Sequence, residues 1–259
     1  MTKKMLTTAI ENCLQAGDKA FIPYIMAGDG DLKKQILFLQ NAGVTAIEIG
    51  IPFSDPVADG TTIQRAGERA LQNGATLRTI LSELYTIKEE VSVPLIIMSY
   101  INPILSYGID AFAEQCVASG ISGLIVPDVP LEESDFVKKA FLETDVAFIP
   151  LVSLTSPPDR IERIAGSGEG FLYAVTINGI TGVRDEFADL LENHLKQLKE
   201  ISPIPVLAGF GISTPEQVQA IGSLADGIIV GSAIVEAFHQ NKQEKITALV
   251  QASKTKVVI

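Results

Sequence analysis

Cysteine and histidine are scarce in this chain, with two of each among 259 residues. Cys13 and Cys116 lie far apart and lack the short spacing of metal ligands. They read as two reduced thiols on amphipathic helices. His194 and His239 both fall in polar helical stretches and read as solvated side chains. With so few soft ligands no metal enzyme is expected, and no metal site is assigned. Long apolar runs are missing too: no stretch reaches the roughly 18 residues of a membrane span. The N-terminus, Met1-Thr2-Lys3-Lys4-Met5-Leu6, leads into Glu11, Asn12 and Asp18 without the apolar core of a secretion signal. The expectation is a soluble cytoplasmic protein. Positive charge is in deficit: 20 Lys and Arg against 31 Asp and Glu give a net charge of −11. A nucleic-acid backbone or an anionic membrane surface is repelled on average by such a protein, so neither is an expected partner. A small anion can still be held by a local cation or by backbone amides.

Apolar residues make up 47% of the chain, enough to build a core without any membrane span. They come in short runs about 30 residues apart, separated by segments of helical period. The candidate strands are Phe21–Met26, Ala46–Gly50, Leu95–Ser99, Gly123–Val126, Ala147–Leu151, Phe171–Val175, Val206–Ala208 and Gly227–Val230. Helical segments are predicted at Leu32–Ala42, Leu77–Val91, Ala111–Ser119, Ser134–Leu142, Arg160–Ala165, Phe187–Ile201, Pro215–Ile221 and from Ala233 onward. Met5–Ala16 adds a helix before the first strand. Regular alternation of strand and helix predicts parallel strands. Eight such units in a chain near 250 residues predict an α/β fold, a closed (β/α)8 TIM barrel with an extra N-terminal helix. No linker or change of composition divides the chain, so residues 1–259 read as one domain.

In such a barrel the site is expected at the C-terminal ends of the strands. The second strand is the most informative. Along Thr45-Ala46-Ile47-Glu48-Ile49-Gly50 the isoleucines share one face, while Ala46, Glu48 and Gly50 share the other. Glu48 therefore points into the barrel. A buried, unpaired carboxylate raises its pKa or finds a partner, and a raised pKa suits proton transfer near neutral pH. The loop that follows carries Asp55 and Asp59, within Ser-Asp-Pro and Ala-Asp-Gly; turn chemistry and function both explain such aspartates. After the seventh strand comes Gly209-Phe210-Gly211-Ile212-Ser213, then Thr214-Pro215-Glu216-Gln217, which has the form of a capping box. After the eighth comes Gly231-Ser232-Ala233. Glycines at helix N-termini in these two loops point to a phosphate held by backbone N–H groups. The connection from Thr176 to Glu186 is long for such a loop and reads as a lid. Tyr100, at the end of the third strand, either lines the pocket or packs in the core. A carbon–carbon lyase of the Schiff-base kind needs a strand lysine, and no candidate strand has one, so acid–base chemistry on a phosphorylated substrate is the expectation.

The stretch from Glu48 to Gly60, Glu-Ile-Gly-Ile-Pro-Phe-Ser-Asp-Pro-Val-Ala-Asp-Gly, resembles the signature of the tryptophan synthase α subunit family. The resemblance continues through Phe21–Asp29, Tyr100-Ile101-Asn102-Pro103, Pro127-Asp128-Val129-Pro130, Gly179-Ile180-Thr181-Gly182, Gly209–Ser213 and Gly231–Val235, and so covers nearly the whole chain. It implies cleavage of indole-3-glycerol phosphate to indole and glyceraldehyde 3-phosphate. It implies Glu48 as the acid–base group at indole C3 and Asp59 as acceptor for the indole N–H. Tyr24 and Tyr100 would flank the indole, Tyr173 would sit at the reacting centre, and Thr181 would bond Asp59 on lid closure. Gly182, Phe210, Gly211, Gly231 and Ser232 would hold the phosphate. The resemblance also implies a β subunit that carries pyridoxal phosphate and consumes the indole, with Asp55 at the interface, in an allosteric α2β2 heterotetramer. No cofactor is expected in this chain. Met26 and Thr61 depart from the residues usual in the family at those positions. Other readings are another sugar-phosphate barrel of the same pathway, a flavin-binding barrel, and a non-catalytic partner-activating subunit.

Overall fold

The computed structural model describes residues 4–153, 155–175, 184–209 and 211–254, without the side chains of 184–189. Its strands are β1 (Ala20–Met26), β2 (Ile47–Gly50), β3 (Leu95–Met98), β4 (Ile121–Ile125), β5 (Ala147–Phe148), β6 (Leu151–Ser153), β7 (Leu172–Val175), β8 (Val206–Gly209) and β9 (Gly227–Val230). They pair in parallel in the order β5-β4-β3-β2-β1-β9-β8-β7-β6. The fifth expected strand is present as two pieces, β5 and β6. Pro150 has no N–H to give to a ladder, so the strand breaks there. The ring nonetheless runs across the break: Ile149 N donates to Leu124 O at 2.9 Å, and Tyr173 N donates to Pro150 O at 2.9 Å. β5 pairs with β4 and β6 with β7, so one interrupted strand closes the eight-part barrel.

The helices are α1 (Met5–Gln15), α2 (Leu32–Ala42), α3 (Thr61–Gln72), α4 (Leu77–Ile87), α5 (Ile101–Tyr107), α6 (Ile109–Ala118), α7 (Asp135–Lys138), α8 (Pro158–Gly166), α9 (Arg184–Ile201), α10 (Pro215–Leu224), α11 (Ser232–His239) and α12 (Gln243–Ala252). Two of them, α3 and α5, were not anticipated. The buried face of α3 is Ile63, Ala66, Gly67 and Ala70, opposite exposed Gln64, Arg65 and Glu68, so a helical period was present there and was missed. The helix expected over 134–142 is one α-turn flanked by 3-10 turns.

Two apolar layers follow from the alternation along each strand. Ile47 and Ile49 of β2 join Ile36, Leu39, Leu81 and Phe112 in the sleeve between sheet and helices. Ala46 joins Ile22, Ile96, Ile149, Phe171 and Leu207 inside the barrel. Helix α1 closes the end where the strands begin: its Leu6 and Ile10 are fully buried in that interior cluster. Lys4, just before it, donates to Val146 O at 2.8 Å and pairs with Glu169 at 2.7 Å. With this end plugged, the strands' other ends form the mouth.

His239 is exposed, as its polar surroundings suggest, but His194 is buried in α9 and its Nε2 has no hydrogen-bond partner among the described residues. Burial lowers its pKa, because the charged ring would lose hydration. The folded chain thus holds fewer protons than the unfolded one once pH drops below about 6.5, and stability falls with pH in that range. A His194→Leu variant, followed by thermal melting between pH 7 and 5, is expected to lose less of its melting temperature than the parent.

Candidate active site

Glu48 sits midway along β2, its Cα in register with Tyr24 of β1 on one side and Ile96 of β3 on the other. It is 1% exposed, and among the described residues its Oε2 has no hydrogen-bond partner. Burial, and then the neighbouring Asp59, raise its pKa to about 8. The group is therefore a neutral acid at pH 7, held where it can both give and take a proton.

Asp59 lies in the loop between β2 and α3. Burial raises its pKa, and a hydrogen bond from the Tyr100 hydroxyl works against that shift. The same hydroxyl accepts from Ala58 N at 2.9 Å, so Tyr100 fastens the loop at the barrel mouth. The Tyr100 ring also packs on Phe53 at 5.4 Å between centroids. Its pKa is pushed up to about 12, mainly by burial. Tyr100 is thus buried with its hydroxyl satisfied. Asp128, which was not singled out, accepts from Ile101 N at 3.0 Å and so caps α5 just after Tyr100.

Tyr173 on β7 projects over Gly209 of β8: a Cβ at 209 would stand 2.6 Å from its ring and 2.8 Å from its hydroxyl. Tyr24 likewise crosses over Gly50, where any Cβ would collide with the phenol. Both phenols have pKa values well above the usual one, chiefly through burial. These two glycines are required by close approach rather than by backbone conformation.

β8 and β9 are neighbours, so the loop after β8 and the start of α11 meet at the mouth. Gly211 there has φ +60°, and Gly231 precedes Ser232, the exposed first residue of α11. The first N–H groups of that helix have no partner within it and carry the positive end of its dipole. A Cβ at Gly231 would stand 3.7 Å from Tyr24 Cβ, so this helix start adjoins the Tyr24–Glu48 wall. Thr181, Gly182 and Phe210 lie outside the described residues. Asp55 is exposed on the rim, near Val57 at 81% exposure.

A cleft of about 320 Å³ lies to one side of these groups, lined by Ala58, Pro127, Leu131, Ser134, Pro150 and Arg160 among others; Glu48, Asp59 and the three tyrosines are not part of its wall. One further brace was not foreseen. Arg69 of α3 makes a two-pronged bond to Asp29, both contacts 2.7 Å, and ties the loop after β1 to the helix that follows Asp59. Their spacing of 40 residues leaves no local signal. Arg69→Ala leaves the largely buried Asp29 without its donors, and a urea melt is expected to show a loss of about 2 kcal/mol. Among the described residues no group of three or more His, Cys, Asp or Glu is placed to hold a metal ion.

The fold and the mouth define a (β/α)8 barrel whose interior presents a buried carboxylic acid. The family model described as "Tryptophan synthase alpha chain" matches residues 10–257. The tryptophan synthase alpha chain of Bacillus thuringiensis subsp. konkukian is 48% identical over 250 residues, 95% of this chain and 97% of that one. Among solved structures, tryptophan synthase from Mycobacterium tuberculosis superposes with a TM-score of 0.89 at 32% identity, covering 98% of this chain and 100% of that chain. The alpha subunit from Legionella pneumophila str. Paris gives 0.87 at 33%, covering 97% and 98%. The chain belongs to the tryptophan synthase alpha chain family. Its reaction is the cleavage of indole-3-glycerol phosphate to indole and glyceraldehyde 3-phosphate.

Proposed function

We propose that Glu48 carries the proton chemistry of this cleavage and that the residues around it hold the substrate. The observation that supports this most is the buried Glu48 carboxyl with a pKa near 8 and a free Oε2. Glu48 gives its proton to C3 of the indole ring, leaving a cationic indolenine and a carboxylate. That carboxylate takes the proton from the glycerol hydroxyl next to the ring. The carbon–carbon bond then breaks: its electron pair returns to the ring to restore indole, and the hydroxyl carbon becomes the aldehyde of glyceraldehyde 3-phosphate. Glu48 ends protonated, as it began, so the cycle balances. Asp59 accepts from the indole N–H and offsets the positive charge that develops there. Tyr24 and Tyr100 flank the indole, with Tyr173 beside the reacting carbon. Gly211, Gly231 and Ser232, with Gly182 and Phe210, hold the phosphate through amides at the start of α11 and its neighbouring loops. Thr181 bonds Asp59 when the lid closes.

The partner is the β chain of tryptophan synthase, which binds pyridoxal phosphate and consumes the indole in a cytoplasmic α2β2 assembly. The whole chain, 1–259, serves as one barrel domain. Exposed Val57, on the loop around Asp55, and Leu105, on helix α5 just after Tyr100, give the rim apolar groups suited to such a contact. No helix among the described residues is long and apolar enough to cross a membrane. Indole release from indole-3-glycerol phosphate, measured with and without a β chain, tests the pairing. Release is expected alone and to rise about tenfold or more with β. A rate indifferent to β at saturating concentration would rule the pairing out.

A further inference from the structure

The buried wall beside Glu48 holds a donor and an acceptor that face the same space and lack good partners. Tyr24 and Glu48 are registered neighbours on β1 and β2, so both side chains leave the sheet on the interior face. Gly50 lies two residues beyond Glu48 on that face, about 6.6 Å nearer the mouth. The Tyr24 hydroxyl occupies the place where a side chain at 50 would begin. It therefore stands on β2's own line, directly on the mouth side of Glu48, although its ring comes from β1. Among the described residues its hydrogen-bond contact is Met26 Sδ at 4.0 Å, a weak acceptor. The Glu48 carboxyl, 1% exposed, has an Oε2 with no hydrogen-bond partner among the described residues. A buried acceptor without a donor is costly, and the Tyr24 phenol from the adjacent strand is a donor on the same interior face.

We infer that Tyr24 is a positioning residue for the proton shuttle: its hydroxyl receives the Glu48 carboxylate when Glu48 turns toward the mouth. The inference rests on the acid–base role proposed for Glu48. That role has two stations, indole C3 and the glycerol hydroxyl, and the carboxyl is charged only between them. A phenol O–H placed at the mouth-side station bonds the charged form best, so it steadies the carboxylate as it takes the second proton. Gly50 is needed because only a residue without Cβ lets the hydroxyl cross to β2. The Tyr24 ring keeps its place beside the indole; the hydroxyl adds a separate task.

The test is Tyr24→Phe, which keeps the ring and its packing, assayed by indole release across pH 6–10, with Glu48→Gln in parallel. Tyr24→Phe is expected to lower kcat about tenfold while KM for indole-3-glycerol phosphate stays within about twofold. The basic limb of kcat/KM, where Glu48 loses its proton, is expected to move up by about one pH unit, since the carboxylate has lost its donor. A kcat equal to the parent's, or a basic limb that does not move, overturns the inference. A purely structural loss would raise KM or lower the melting temperature and leave the limb in place. If Glu48→Gln is inactive and Tyr24→Phe behaves as the parent, only the Tyr24 inference fails. If Glu48→Gln stays active, the shuttle itself is wrong.

Discussion

Glu48→Gln is expected to lower indole release about a thousandfold at pH 7, with or without a β chain, while substrate-analogue binding stays near the parent's. Glutamine has the shape of the protonated acid but has no proton to give to C3 and cannot take one from the glycerol hydroxyl. The same substitution is expected to stabilise the protein, and the sign follows from linkage. Burial holds the Glu48 proton to about pH 8 in the folded chain, against 4.5 ordinarily. Between these values the folded protein binds a proton that the unfolded chain has released. Stability due to this group is full below pH 4.5 and is lost as pH rises through 8, by roughly 1.4 kcal/mol per unit. The glutamine side chain does not titrate, so the variant's advantage in a denaturant melt should be small at about pH 5 and reach a few kcal/mol near pH 8.5. Equal pH slopes for parent and variant would mean that Glu48 is solvated or paired in solution. For the parent enzyme, kcat/KM should decline above about pH 8, where the acid needed for the first proton transfer is lost.

Asp59→Asn is expected to cost about 100- to 1000-fold in kcat, with a smaller change in KM. The amide keeps the size of the side chain and can still accept one hydrogen bond. It cannot place a negative charge beside the ring nitrogen, and that charge matters most when the indolenine is cationic. The hydrogen bond from Tyr100, which opposes the rise in the Asp59 pKa, keeps the ionised form accessible. Removing that donor by Tyr100→Phe should reproduce part of the Asp59→Asn loss and shift the acidic limb of kcat upward. An Asp59→Asn enzyme with the parent's kcat would assign Asp59 to turn structure alone.

Much of the fold was legible because local rules set it. The alternation of Ile47 and Ile49 against Ala46, Glu48 and Gly50 put the carboxyl inside, and the two core layers divide on those faces. The capping box at Thr214 formed as its spacing requires. Where the local signal was thin, the expectation fell short. His194 is buried despite polar neighbours in sequence, and Pro150 divides a strand that hydropathy reads as continuous.

The sequence by itself determined the periodic elements, the inward acid, the glycine-rich loops and, through the long motif from Glu48 to Gly60, the family. Each of these depends on residues close together in the chain, where spacing alone fixes which face a side chain takes. The tertiary structure decided what those groups meet. Tyr100 was ambiguous until its hydroxyl was seen joining Ala58 to Asp59, and Asp29 had no evident partner until Arg69 reached it. The roles of Gly50 and Gly209 became plain only when phenols from adjacent strands were found crossing above them. The elevated pKa of Glu48 belongs to the same class: it arises from exclusion of water by the closed barrel, which no stretch of chain possesses before the strands assemble.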